Sequence, residues 1–321
     1  MAEKVESYAF GREAKALGIR SFAFGSGSPA GSGGGYEWDE AGGPEASGDN
    51  SYAFGMGSIA SGKGSFAMGF KTEASGFFNT AMGYQTVVSG DWGSTAMGYE
   101  TEASDSYSTA MGIWTMASGH NSTAMGKGTE ASGSHSTAMG YETEASGSYS
   151  TAMGWNTKAT GGVSTAMNNG TVASGQSSTS MGFGTIANTY AMTAIGSHNW
   201  VGEDNFDDWS DTDPIFAIGI GQYGIRKNAM TVLKGGQVGL QSVTAPTYAL
   251  ELPNSAVEGK GSARATAWVT HSDTRVKSNQ QPICYGLSEV MRMAPKTYFH
   301  HNSTIENGSI VIAPGGSRIL D

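Results

Sequence analysis

The sequence predicts an all-β solenoid of fourteen-residue coils, and three observations carry that reading. A short element recurs at a fixed spacing along the first two thirds of the chain. Long apolar side chains at the 3.6-residue helical period are scarce. Small residues dominate, with 49 Gly among 321 residues and a hydrophobic content of 38%. The 14% of charged residues is well below the roughly 25% of an average globular chain, which excludes a highly charged disordered chain, and the scarcity of helical apolar stripes argues against large helical or doubly wound folds.

A fixed period decides the architecture. The segments STAMGKGTEASGSH, STAMGYETEASGSY and STAMGWNTKATGGV follow one another over residues 122–163. The Ala that opens each Ala-Met-Gly or Ala-Phe-Gly element stands at Ala9, Ala23, Ala53, Ala67, Ala81, Ala96, Ala110, Ala124, Ala138, Ala152 and Ala166, and Ser180 and Ala194 continue the series. Two steps depart from fourteen: Gly93 adds one residue before Ala96, and residues 26–48 lengthen the step from Ala23 to Ala53. Each coil is expected to hold two short strands and two turns. Half a period on, Ala-Ser-Gly recurs at Ala60, Ala74, Ala117, Ala131, Ala145 and Ala173. So short a coil has a thin interior where Ala fits and Leu would not, and Gly at its corners supplies turn conformations that a side chain would obstruct. Thirteen coils stacked about 4.8 Å apart make a rod about 60 Å long.

Alternation along the strand predicts which residues face out. In Ser136-Thr137-Ala138-Met139-Gly140, Ala138 points one way while Thr137 and Met139 point the other. With Ala inside, Met68, Met82, Met97, Met111, Met125, Met139, Met153, Met167 and Met181 form an apolar stripe on the exterior, which Phe10, Phe24 and Phe54 extend toward the N-terminus. A soluble protein does not leave such a stripe in water, so it reads as a subunit interface at which three rods meet. The alternative is that Met fills the coil interior.

The unit resembles the head repeat of trimeric autotransporter adhesins of the YadA type, whose pattern is Ser, an apolar residue, Ala, Ile and Gly, with Ala-x-Gly half a coil later. The resemblance spans residues 7–196 and implies a left-handed parallel β-roll in a tightly joined homotrimer. Thr replaces the usual Val and Met the usual Ile, which implies a softer and more adaptable interface.

Stacking turns each repeat position into a column. Glu73, Glu102, Glu130 and Glu144 share one, continued by Lys158; Tyr84, Tyr99 and Tyr141 share another, with Phe70 and Trp155 in register. These columns read either as a solvated face with aromatic shielding or as a surface for a glycan or protein receptor. Thr109, Thr123, Thr137, Thr151 and Thr165 form one Thr column and Thr115, Thr129, Thr143, Thr157 and Thr171 another, an arrangement open to contact with ice. In the glycine-rich insertion over residues 26–48, Tyr36 and Trp38 are the best local candidates for receptor contact, beside the plainer reading of a tolerated surface loop.

Residues 1–196 thus read as the head, 197–271 as a β connector and 272–321 as a small α+β module. The acidic stretch over residues 202–213 lacks the alternation of a calcium loop, so no metal site is assigned and no cofactor is called for. Residues 214–219 and 229–240 read as strands, the latter a hairpin turning at Gly235-Gly236. His271-Ser272-Asp273-Thr274-Arg275-Val276-Lys277 resembles the start of the intramolecular chaperone domain of endosialidase-type tail spikes, which assists trimer folding and then cuts itself off before the Ser. The resemblance implies Ser272 as nucleophile and Lys277 as its base, with Asp273 and Arg275 supporting them. A Lys acts as that base only when desolvation lowers its pKa. Residues 282–295 carry Ile283, Leu287, Val290, Met291 and Ala294 at helical spacing between two prolines, and residues 296–300 and 309–313 read as strands. The family domain is longer than this stretch, so self-cleavage and an inert cap on the trimer end both stay open.

A net charge of −10, from 18 basic and 28 acidic residues, argues against a nucleic-acid partner. The single cysteine, Cys284, excludes an internal disulfide. No run approaches the roughly 20 apolar residues of a spanning helix, the first eighteen residues lack a signal-peptide core, and no amphipathic strand series of an outer-membrane anchor is present, so no membrane insertion is expected. The reading is an extracellular homotrimeric attachment protein, either a phage tail fibre or spike on the virion or a cell-surface adhesin, binding a glycan or protein receptor on a host surface. Two alternatives stand beside it: a single-turnover self-cleaving Ser-Lys peptidase, and a structural or ice-contacting rod.

Overall fold

The computed structural model describes residues 1–28, 41–202 and 206–252, and the backbone of four short strands nearer the C-terminus. Among the described residues every regular element is a β-strand. The chain divides into two compact units, Met1–Ser262 and Ala263–Asp321.

The first unit is a parallel β-solenoid. One coil consists of a five-residue strand, Thr137–Tyr141, a turn, a two-residue strand, Glu144–Ala145, and a second turn. Equivalent positions stack in register: Ala124 pairs with Ala138 and Ala138 with Ala152, while Glu130, Glu144 and Lys158 align in the second ladder. Coil-to-coil hydrogen bonds satisfy the backbone, as in Thr137 N–H to Ser150 O at 2.9 Å and Ser146 N–H to Ala159 O at 3.1 Å. This pairing lets so thin a core hold together.

Four side chains fill each coil: Ser136, Ala138, Thr143 and Ala145 are all buried. Over residues 94–187 no buried side chain is larger than Thr. Met139 and its column lie on the outer face, so Met does not fill the interior. The two Thr columns part company. Thr109, Thr123 and Thr137 stand on the outer face beside Met, whereas Thr115, Thr129 and Thr143 are buried inside. The paired Thr surface needed for ice contact is therefore absent, because six residues of separation carries the second column around the corner and inward.

The glycines also act differently from the expectation. Both corners of a coil are left-handed, yet they mostly hold other residues, such as Trp114 at φ 54°, Glu142 at 51° and Tyr149 at 59°. The Gly of Ala-Met-Gly is required by proximity: at Gly140, φ 127°, an added Cβ would overlap the carbonyl oxygen of Gly154 in the next coil. Asn168 departs from this column, with φ drawn back to 88°.

The fifteen-residue step is repaired locally. Asn79 takes the place of the interior Ser, donating to Gly90 O at 2.6 Å and accepting from Ser94 N–H at 2.8 Å. The extra length bulges outward, where Phe77 stacks on Trp92 at 4.8 Å.

At the C-terminal end, Met192 replaces the interior Ser and is fully buried with Ala187, Ala194 and Ala217. The strand Pro214–Ile220 adds one more parallel rung, pairing Ala194 with Ala217 and Gly196 with Gly219. The chain then reverses into the antiparallel strands Asn228–Leu233 and Val238–Leu240, joined by the expected turn at Gly235-Gly236. Lys234 in that turn is wholly buried in its side chain, 3.3 Å from Asp213 and over the rings of Trp209 and Tyr190 at 5.3 and 5.6 Å. The end of the acidic stretch is thus tied down by a buried cation.

In the second unit Tyr298–Phe299 pairs with Arg318–Ile319 and Ser303–Glu306 with Ser309–Ile312, both antiparallel. The helix expected over residues 282–295 lies outside the described residues.

Candidate attachment and assembly surfaces

The outer face of the long sheet carries the apolar stripe. Met82, Met97, Met111, Met125, Met139, Met153, Met167 and Met181 are half-buried along it, while Met68 is 43% exposed. At the N-terminal end the stripe is aromatic and wider, because Phe22 and Phe66 occupy the Thr position. Phe10 lies 5.9 Å from Phe22, Phe22 5.5 Å from Phe54, and Phe54 5.6 Å from Phe66. At the other end the register carries the stripe through Ile195 and Ile218 to Met230 and Leu240. These last four were not anticipated. The signal is present in Ala194-Ile195-Gly196 and Ala217-Ile218-Gly219, but the 23-residue gap takes the second out of the fourteen-residue period.

The exit corner of the long strand carries the aromatic row. Phe70 stacks on Tyr84 at 5.1 Å and Tyr84 on Tyr99 at 4.8 Å, the latter two rings nearly parallel at 3°. Lys127 interrupts the row and lies 5.2 Å from the Trp114 ring and 5.5 Å from that of Tyr141. Glu142, accepting the Tyr141 hydroxyl and adding its own charge, holds that phenol above its usual range.

The acidic column is diluted by its neighbours. Val87 separates Glu73 from Glu102, and Met116 separates Glu102 from Glu130. Only Glu130 and Glu144 stand side by side, and Glu144 pairs with Lys158 at 2.8 Å. That distribution limits like-charge repulsion along the ladder.

Tyr36, Trp38, Ser272, Asp273, Arg275 and Lys277 all lie outside the described residues. Among the described residues, no group of three or more His, Cys, Asp or Glu could hold a metal ion, and no helix is long and apolar enough to cross a membrane.

These features define a fibrous β-solenoid whose interior is only a spacer and whose distinctive chemistry lies on its outside. The family model of the YadA head domain repeat matches residues 2–28, 46–72, 93–112, 117–143 and 145–167, all within the solenoid. The repeats are therefore adhesin-like, similar to YadA heads over these segments. Among curated proteins, none matches the chain.

Proposed function

We propose that the protein is a homotrimeric attachment fibre, with three solenoids joined along the stripe of Met68 to Met181 and its flanking Phe and Ile residues. The observation that carries this reading is the stripe's continuity: a column of large apolar side chains runs outside a core that over residues 94–187 holds nothing larger than Thr. A single chain cannot bury it, whereas association around a common axis can. Similarity to YadA head repeats supports both self-association and display outside the cell. Adaptable Met side chains suit close packing of identical columns.

Sedimentation velocity on the intact chain tests assembly. The expected species is a trimer, and Met139→Asp with Met153→Asp should yield monomers that keep the β-sheet circular dichroism signal. A monomeric parent protein would refute the reading. Receptor contact is assigned to the insertion holding Tyr36 and Trp38, on a virion fibre or a cell surface. Whole-cell binding by the trimer, compared with a form lacking residues 26–48, should fall strongly on deletion.

The segment from Ser272 is proposed as a self-processing module, with Ser272 as nucleophile, Lys277 as base and Asp273 and Arg275 in support. The support is the sequence resemblance. Intact-mass measurement should find fragments that part before Ser272, abolished in Ser272→Ala with the trimer retained. An uncut parent chain would leave this segment as a trimer-end cap.

A further inference from the structure

The ridge that follows the long strands is built from left-handed residues whose side chains project outward, among them Glu100, Trp114, Glu142 and Asn156. At Gly170 and Gly184 the same corner carries no side chain in two successive coils, and the next corner residue, His198, is buried with its imidazole folded back over Gly184. The open corner at Gly170 adjoins a notch of about 540 Å³, which Gly184 and His198 also line, within the usual range for small-ligand sites. Trp155 and Phe183, each about half exposed, turn ring surface toward it. Asn156 and Asn169 add amide groups. Tyr223 overhangs it from the hairpin turn, which is closed by reciprocal Gln222 and Ile225 backbone bonds of 2.9 Å. At 92% exposure, with only an edge contact to His198 at 6.4 Å, the Tyr223 ring contributes little to folding.

Arg226 supplies the charge. Its Nη1 donates to Gly184 O at 2.9 Å and Asn199 O at 3.2 Å, which fixes one edge of the guanidinium. Partial burial pulls its pKa below the usual range. Among the described residues no carboxylate pairs with Arg226, and none lines the notch. A partly desolvated guanidinium held by neutral carbonyls gains most from an anionic partner, and its planar fork matches a carboxylate.

We propose that this notch binds a carboxylated saccharide, with its acid on Arg226, its ring faces on Trp155, Phe183 and Tyr223, and its hydroxyls on Asn156 and Asn169. Aromatic faces beside amides fit a pyranose ring better than an extended acidic peptide, which would not use three ring surfaces. The inference deepens the attachment reading and rests on it for the source of the sugar, a polymer on the surface being bound.

Calorimetry on the full chain, with trisaccharides of galacturonate, glucuronate and guluronate beside their neutral methyl esters, tests it. At least one acid form should bind saturably and at least tenfold more tightly than its ester. Arg226→Gln should remove that preference. Tyr223→Ala should weaken binding about tenfold without changing the fold. Because Arg226 also anchors two carbonyls, Gly170→Asn gives an independent check: Asn156 already occupies the equivalent corner at φ 50°, so the variant should fold and block the notch. The proposal is overturned if no acid form binds, if acid and ester bind equally, if Gly170→Asn and Tyr223→Ala bind as the parent does, or if poly-glutamate binds as tightly as the saccharides. An altered oligomeric state in Tyr223→Ala with unchanged saccharide affinity also overturns it, making the notch a subunit contact. Whole-cell binding separates the two claims: adhesion without saccharide binding sinks only the notch, and saccharide binding without adhesion sinks only the attachment reading.

Discussion

The middle coils and the closing region solve the same burial problem with opposite side chains. Over residues 94–187 the core is Ser, Ala and Thr, because each coil is covered by the next and the backbone supplies the cohesion. Where the regular stack ends, the core admits Met192 and Leu233, and the buried Lys234 reaches Asp213. An end lacks a further coil to pair with, so side chains replace hydrogen bonds as the covering material. The rod thus has two kinds of stability: a repetitive one set by how closely backbones approach, and a local one set by how well a few large groups pack.

The sharpest way to separate them is Met192→Ala. A fully buried Met removed from a crowded end should cost about 3–5 kcal/mol and lower the denaturant midpoint of the first unit. Met139→Ala, on the outer face, should leave that midpoint little changed in a monomeric background and act on assembly instead. If both mutations destabilise the monomer equally, the distinction between end and middle fails.

A glycine pair probes the backbone side of the comparison. Gly140→Ala must push against the Gly154 carbonyl at φ 127°, and a loss of about 2–3 kcal/mol is expected. Gly170→Ala meets nothing nearer than 3.9 Å at φ 62°, so only the left-handed penalty of about 1 kcal/mol applies. Urea melts of the two variants should differ accordingly.

The middle of the rod was legible in the sequence because its rule is periodic: Ala138 inward and Met139 outward follow from strand alternation once the fourteen-residue register is fixed. The closing region was not legible in the same way. Ala217-Ile218-Gly219 is a rung of the ladder, but its spacing breaks the period, and nothing in the local sequence announces that Lys234 will be buried against Asp213. The role of glycine differs from the expected corner for a related reason. Its column position is visible in sequence, whereas a neighbouring carbonyl lying across the gap exists only after stacking. The inward turn of Thr129 was hidden likewise, since it depends on the corner between two strands. The notch at Gly170 and Gly184 required both the register and the reversal that brings Tyr223 and Arg226 over it.

The repair of the long step at Gly93 gives a smaller effect and a stricter test. Asn79→Ala removes a donor from Gly90 O and an acceptor from Ser94 N–H in a buried place, with an expected loss of about 2 kcal/mol. Restoring the fourteen-residue rule, by deleting Gly93 and converting Asn79→Ser together, should recover most of it. If the double change is worse than Asn79→Ala alone, the extra residue has a purpose beyond the one that Asn79 repairs.

The smallest expected effect has the opposite sign. Thr129 is buried and its hydroxyl finds no partner, in common with Thr115, Thr143 and Thr157 in the same column. Earlier in the rod a hydroxyl in that column is bonded, Thr72 donating to Ser58 Oγ at 3.0 Å. A hydroxyl buried without a partner costs about 1 kcal/mol or more, and Val has nearly the same shape with no polar group to strand. Thr129→Val should therefore raise the unfolding free energy by about 1 kcal/mol, while Thr72→Val, which breaks a real bond, should lower it by a similar amount. Paired urea titrations read both. Opposite signs would show that the interior column holds Thr for its volume in the middle coils and for its hydrogen bond nearer the N-terminus, whereas a loss in both would mean that the middle hydroxyls find partners inside the coil.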